Sequence, residues 1–161
     1  MDLIKEERRK TKNIKIRLLV ENAQLSCRKF FKEDYQYCDK EAIEELGLDS
    51  ELIDQLVEDY VIQIIKSGDY FREYLSELTK EEADLIELNF TPFRELAHKN
   101  LGVARNLRIK DSEKILATLM KSDDLAKLDE CLSLLESCVI KLKPMSAYAA
   151  LELIKIKSKL N

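Results

Sequence analysis

Apolar residues recur along this chain at the spacing of a helix face. The clearest stretch follows residue 50, where apolar side chains stand at i, i+3, i+4 and i+7 over four turns: Leu52, Ile53, Leu56, Val57, Tyr60, Val61, Ile64 and Ile65. Apolar faces of the same kind follow in the segments 115–120, 125–142 and 148–156. Each of these segments is predicted to bury one face against other helices. The pattern therefore indicates an all-helical chain.

Local signals set the expected helix boundaries. Helix starts are predicted where a capping or early acidic residue precedes an apolar run, at Asp49 or Ser50, Thr79–Glu82, Asp111 or Ser112, and Ser122–Asp124. A short helix from Lys40 to Leu46 should stop at Gly47, and the long apolar run should break or kink at 67–69. Pro144 should end the helix before it or lie just beyond it, and a last helix should cover 146–160.

The N-terminal segment is basic. Residues 1–17 hold seven lysines and arginines against three acids. A helix is predicted from Leu3 to Lys32, with an imperfect apolar pattern and a possible interruption near Asn22. Three interpretations stay open for it: an extra packing helix with a solvated basic face, a docking or dimerisation arm, or contact with nucleic acid or a membrane surface. We expect this arm to occupy 1–38 and a helical bundle to occupy 39–161.

The composition also indicates an all-helical fold, and it argues against some classes of function. The 161 residues include only 3 Gly and 2 Pro, and 36% are charged, which is typical of helices joined by few tight turns. No apolar run is long enough to cross a bilayer, and the charged start lacks the apolar region of a signal peptide. A cytoplasmic protein without membrane insertion is expected. The net charge of −4 argues against general binding of nucleic acid.

Four cysteines are widely spread and form no C-x-x-C pair. Cys131 and Cys138 are seven residues apart, so they share one helix face and are predicted to lie in the core with structural thiols. A metal or disulfide role is the less favoured reading for these and for Cys27 and Cys38. No metal site is predicted, because a zinc site needs four ligands close together.

The stretch Thr91–Ile109 holds the only histidine, His98. Thr91 and Pro92 predict a helix start, with Thr as the cap and Pro in the first turn. At about 100° per residue, the residues nearest to His98 on its face are Arg105 at about 20°, Arg94 and Gly102 at about 40°, and Leu101 and Glu95 at about 60°. The opposite face is predicted to be buried and carries Phe93, Leu96, Asn100, Val103, Ala104 and Leu107.

This layout suggests phosphoryl chemistry. A neutral imidazole is available as a nucleophile near pH 7. Guanidinium groups at Arg94 and Arg105 would hold a dianionic phosphoryl group by charge-assisted hydrogen bonds. Gly102 would let a partner approach closely. The competing reading is an ordinary histidine on a helix surface or in the core.

The residues Ala97–Leu107, together with the run Ala42–Tyr60, resemble the histidine-containing phosphotransfer (HPt) domain family. The resemblance covers about residues 39–143. It implies an up-and-down four-helix bundle, here with additional N-terminal and C-terminal helices, whose His98 exchanges a phosphoryl group with an aspartate of a response-regulator receiver domain. A hybrid histidine kinase is a further expected partner in such a bacterial phosphorelay. No cofactor is expected on this chain, because Mg²⁺ belongs to the receiver domain.

Two positions depart from the family pattern. Leu101 stands where the family has a lysine, and Asn100 stands at an apolar position and needs a partner on the core side. Arg94 and Arg105 are expected to replace the missing charge, and Leu101 beside His98 is expected to form an apolar part of the docking surface. Lys99 and Glu95 are expected to belong to the same phosphoryl-stabilising or docking set. A hydrogen bond to one ring nitrogen of His98 is expected from Glu95, from water or from a neighbouring helix.

Three functions therefore compete. The first is a phosphorelay intermediate, a phosphoryl carrier rather than a kinase, since no glycine-rich phosphate loop is present. The second is a degenerate HPt-like module that docks a receiver or kinase without transfer. The third is a structural helical protein in which the motif is coincidental. A buried His98 would favour the third.

Overall fold

A computed structural model describes residues 2–31 and 35–160. Over those two ranges the protein has no strand and seven helices: α1 (Asp2–Phe30), α2 (Lys40–Leu46), α3 (Ser50–Ala83), α4 (Thr91–Asn106), α5 (Lys110–Lys121), α6 (Leu125–Leu142) and α7 (Pro144–Leu160). The predicted all-α class is confirmed.

Helices α3 and α6 form the centre of the packing. α3 contacts α2, α4, α6 and α7, while α6 contacts α1, α3, α5 and α7. α4 and α5 contact each other along their length, so α3, α4, α5 and α6 are successive neighbours around one core. α1 and α7 cover the outer side of α3 and α6. The largest fully buried side chains come from this arrangement: Tyr60, Phe71, Phe93, Ile53, Leu78, Ile109, Ile115, Leu116, Leu119, Leu128, Val57 and Val61.

Helix α3 runs without a break through residues 67–69, so the break predicted there is wrong. The helix start predicted at Thr79 is also wrong, because Thr79 lies inside α3 and donates its hydroxyl to the carbonyl of Leu75 at 2.9 Å. A glycine inside a helix costs only about 1 kcal/mol relative to alanine. Burial of Phe71 and Leu78, which follow Gly68, stabilises the helix by more than this cost. The helix therefore continues through Gly68.

The segment after α3 is a loop. Leu85 and Ile86, predicted to continue a helix, lie outside it, with Leu85 at φ 55° and 94% exposed. Glu81 accepts the backbone N–H of Asn89 at 2.8 Å and ties the loop to the end of α3. The prediction failed here because these apolar side chains have no packing partner to hold them in a helix.

Most predicted caps are confirmed. Gly47 takes the left-handed conformation, with φ 66°, and donates its N–H to the carbonyl of Ile43. The Asp49 carboxylate accepts the N–H of Leu52 at 2.9 Å, and Asp124 accepts two N–H groups at the start of α6. α7 begins at Pro144, two residues earlier than predicted, since proline suits the first turn of a helix.

Helix α1 is not interrupted near Asn22. Its C-terminal half packs on α6 and α7 through Ala23 and Cys27, both 3% exposed. The Sγ atoms of Cys27 and Cys138 are 3.8 Å apart as free thiols. Cys131 and Cys138 are buried as predicted. The predicted end of the helix at Lys32 lies outside the described residues, and the boundary at residue 38 stays a prediction.

None of the helices in the two described ranges combines the length and the apolar character needed to cross a bilayer.

One carboxylate is buried within this core. Asp111, in the first turn of α5, is 7% exposed and accepts the N–H of Ser112 at 2.7 Å. Burial raises the pKa of its carboxyl group, and this outweighs the opposing effects of the Ser112 N–H, Cys138 and Lys141. The ionised form is therefore less favourable in the folded than in the unfolded protein.

Asp111→Asn tests this account. A carboxyl whose pKa is raised on folding supports stability below its unfolded pKa, and that contribution is lost as pH rises through the folded pKa. The amide oxygen of asparagine can still accept the Ser112 N–H, but it carries no charge. We expect the variant to gain free energy of unfolding relative to the parent as pH rises from 3.5 to 7, measured by urea denaturation and circular dichroism.

Asp123→Asn, at an exposed position, is the matched control for loss of one negative charge. A difference between the Asp111 variant and the parent that stays constant with pH, or that shrinks toward pH 7, would contradict the prediction.

Candidate functional site on the exposed face of α4

Helix α4 carries the residues singled out by sequence. Its N-cap is Phe90, one residue before the predicted Thr91, and Pro92 lies in its first turn as predicted. It ends at Asn106, earlier than the predicted Ile109, and Arg108 then adopts φ 60°. This turn leads directly into α5.

His98 is exposed on α4, as are Glu95, Lys99, Gly102 and Arg105. The condition that would have favoured a purely structural protein, a buried imidazole, is not met. Within the described parts of the chain, no side chain hydrogen-bonds the ring, so the bond considered from Glu95 is not formed.

Arg94 does not join the histidine. Its side chain is half-buried, and its guanidinium carbon lies 4.6 Å from the centroid of the Phe90 ring, a cation–π contact. Phe90 is one turn before Arg94, whereas His98 is one turn after it. Side chains of a helix lean toward its N-terminus, which favours this contact. This contact holds the Arg94 guanidinium at Phe90, and the role predicted for Arg94 and Arg105 at His98 stays a prediction.

Arg105 and Gly102 lie on the other side of His98. Arg105 is exposed two turns after the histidine, and its side chain is expected to lean back toward it. Gly102 lies between them, and a Cβ placed there would meet no atom within 4 Å. The surface between His98 and Arg105 is therefore open. Of the two predicted phosphoryl ligands, Arg105 is exposed, whereas Arg94 is engaged with Phe90.

The prediction that Leu101 is part of the docking surface is wrong. Its side chain is 2% exposed and belongs to the core, so it cannot contact a partner. Val103, predicted to be buried, is 40% exposed. The buried arc of α4 is therefore rotated toward Leu101. His98 lies near the margin of the exposed arc and not at its centre.

Asn100 is paired through its amide nitrogen, while no described residue donates to its Oδ1. It is fully buried, and its amide nitrogen donates to the hydroxyl of Ser67 at 3.2 Å and to the carbonyl of Leu96 at 3.0 Å. About two turns earlier, the Phe93 ring meets Phe71 with centroids 5.0 Å apart. The contacts advance along α3 as they go back along α4, so the two helices are antiparallel here.

The C-terminal end of α4 is held by residues that the sequence did not assign to the site. The Tyr37 hydroxyl donates to the Leu107 carbonyl at 2.7 Å, and Tyr35 donates to the Arg108 carbonyl at 3.3 Å. Arg108 also pairs with Glu45 on α2. Burial raises the pKa of Tyr37 to about 12, so its hydroxyl stays protonated as a donor. Tyr35 and Tyr37, in the short segment before α2, are the sequence feature that could have indicated these contacts.

No group of three or more His, Cys, Asp or Glu side chains placed to hold a metal ion occurs among residues 2–31 and 35–160.

No protein-family model, no curated protein and no solved structure matches this chain. The resemblance to HPt domains thus stays a prediction from the residues of α4 and α2–α3.

Leu101→Lys, which introduces the residue of the family pattern, tests the packing of α4. Because Leu101 is in the core, an ammonium group there would be buried without a partner. We expect a loss of about 3 kcal/mol in the free energy of unfolding, measured by urea denaturation.

Val103→Lys is the matched control on the same helix. At a half-exposed position the lysine reaches water, and a change within about 0.5 kcal/mol is expected. Equal effects of the two substitutions would show that Leu101 is not in the core.

Proposed function

We propose that this protein is a phosphotransfer protein of a two-component phosphorelay, and that His98 carries the phosphoryl group between receiver domains or from a hybrid kinase to a receiver. The exposed His98 on a helix packed firmly along its opposite side carries this proposal. In it, α3, α4, α5 and α6 are the four helices of the HPt bundle, and α1, α2 and α7 are additions.

The proposed transfer needs a nucleophile and a cation from this chain. An imidazole nitrogen of His98 attacks phosphorus, the bond from phosphorus to the receiver's aspartyl oxygen breaks, and the proton of the second ring nitrogen can pass to water. The guanidinium of Arg105 binds the non-bridging oxygens, which keep their negative charge after transfer. The receiver domain supplies the Mg²⁺ that the reaction needs.

Rigidity is the contribution of the scaffold. The Phe93–Phe71 contact and the Asn100–Ser67 hydrogen bond fix the rotation of α4 about its axis. That rotation fixes the direction in which the imidazole projects. The open surface at Gly102 then admits the acidic rim of a receiver active site. Arg94 can contribute only after leaving Phe90.

The exposed arc of α4 provides the docking surface. Within this arc Glu95 and Lys99 lie next to His98 and supply polar contacts, while Val103, at 40% exposure, lies at the far edge of the arc, about 140° from His98.

The second candidate is a module that docks a receiver without accepting phosphate. Two observations favour it: the family's lysine position is occupied by a buried Leu101, and Arg94 is engaged with Phe90. Both reduce the positive charge near His98. Under this reading the same face of α4 binds the receiver and blocks its other partners.

Phosphate transfer separates the candidates. Receiver domains labelled with radioactive acetyl phosphate are incubated with the full chain, and transfer is followed by gel and by acid and base treatment. We expect an acid-labile, base-stable label that His98→Gln abolishes. Arg105→Gln should slow transfer about tenfold, equivalent to about 1.4 kcal/mol of lost stabilisation.

Lys121→Gln, at an exposed lysine of α5, removes the same charge elsewhere and should leave the rate unchanged. Binding of a receiver without label on His98 would support the docking module. Absence of both binding and label across the receivers tested would overturn both candidates.

A further inference from the structure

Two thiols from different helices meet in the core. The Sγ atoms of Cys27 on α1 and Cys138 on α6 are 3.8 Å apart, although 111 residues separate them along the chain. Both side chains are buried. A disulfide holds its two sulfurs about 2.05 Å apart, so an approach of about 1.8 Å would join this pair. Rotations about the two Cα–Cβ bonds move sulfur atoms over distances of this size.

A cavity of about 590 Å³ lies next to this pair. Its lining includes the exposed side chains of Gln24 and Arg28 on α1 and the buried residues Cys138 and Asp111. Gln24 and Arg28 come one turn before and one residue after Cys27, so the cavity approaches both cysteines. A water molecule takes up only about 30 Å³, and hydrogen peroxide is little larger. The cavity therefore gives a small oxidant a route from the surface to the thiols.

The surroundings make Cys27 the more nucleophilic of the two sulfurs. A hydrogen bond from the Cys138 thiol and the positive charge of Lys141 lower the pKa of Cys27, and together they outweigh the opposing effects of burial and Asp111. The same hydrogen bond, burial and the charge of Asp111 raise the pKa of Cys138. The thiolate therefore forms at Cys27, while Cys138 keeps its proton.

We propose that Cys27 and Cys138 form a redox-active dithiol, which a hydroperoxide oxidises to a disulfide between α1 and α6. The Cys27 thiolate attacks the terminal oxygen of the hydroperoxide, the O–O bond breaks, and the departing alkoxide or hydroxide takes up the proton that Cys27 released. The Cys138 sulfur then attacks the sulfur of the Cys27 sulfenic acid. The expelled hydroxide takes the Cys138 proton and leaves as water. Two thiols are oxidised, and the hydroperoxide is reduced.

The other two cysteines supply the controls. Cys131 is buried on α6, seven residues before Cys138, and burial raises its pKa. Cys38 is exposed and lines the same cavity. Cys131→Ser therefore controls for loss of a buried thiol on the same helix, and Cys38→Ser removes the thiol that solvent reaches most easily.

Peptide mapping tests the proposal. The reduced full chain is treated with hydrogen peroxide under native conditions, the remaining thiols are alkylated, and the digest is analysed by mass spectrometry without reduction. We expect the parent to lose the mass of two hydrogen atoms and to yield a peptide that links Cys27 to Cys138. Dithiothreitol should reverse both changes. Cys131→Ser and Cys38→Ser should form the same link at the rate of the parent.

Cys138→Ser tests which sulfur is attacked first. The serine hydroxyl keeps a donor beside Cys27, but it cannot close the disulfide. The sulfenic acid at Cys27 should therefore persist and be trapped by dimedone. In Cys27→Ser, about tenfold less adduct should form at Cys138. Circular dichroism of both variants is compared with that of the parent to confirm that they are folded.

Two results would overturn the proposal, and the first needs only the parent chain. It is the absence of a Cys27–Cys138 link under native conditions, whether all thiols stay alkylatable, the link forms only in denaturant, or the disulfide runs through Cys38 or Cys131. The second is a dimedone adduct that forms on Cys138 as readily as on Cys27. Neither result bears on phosphotransfer at His98.

Discussion

The rotation of α4 about its own axis governs everything proposed for the site. Two contacts with α3 set it, the rings of Phe93 and Phe71 and the hydrogen bond from Asn100 to Ser67. An unpaired buried amide costs roughly 1–3 kcal/mol, which opposes a rotation of α4 that buries Asn100 away from Ser67. A rotation that exposes Asn100 is opposed because it would also expose Phe93, which lies about 20° from it on the helix. With Phe93 and Asn100 held in the core, the opposite side of α4 is exposed, and it carries His98, Gly102 and Arg105.

The second constraint on that rotation comes from α5. The turn at 107–109 brings α5 back along α4, and two tyrosine hydroxyls from the segment before α2 bind the carbonyls of this turn. Leu101, on the buried side of α4, lies in the core. A lysine could not occupy that place without burial of its charge, so the leucine follows from the packing of this particular bundle.

Sequence predicted the helices of this fold well where apolar spacing and caps agreed, as at Gly47 and Asp124. It failed at Thr79, because a threonine followed by acids resembles a helix start and also fits a helix interior when apolar residues on both sides are buried. It placed the exposure of His98 and Arg105 correctly. It misplaced Leu101 and Val103, since a helical wheel gives the angles between residues but not the direction from which a neighbouring helix packs.

The two arginines of α4, Arg94 and Arg105, have different surroundings. Arg94 has an aromatic ring one turn before it, and the lean of helical side chains toward the N-terminus directs its charge onto that ring. Arg105 has Gly102 and then His98 in the same direction, with no side chain between. The same tendency holds the charge of Arg94 at Phe90 and favours a position of the Arg105 side chain nearer to His98. Because Leu101 is buried and Arg94 is engaged, Arg105 is the arginine that is left to stabilise the phosphoryl group proposed at His98.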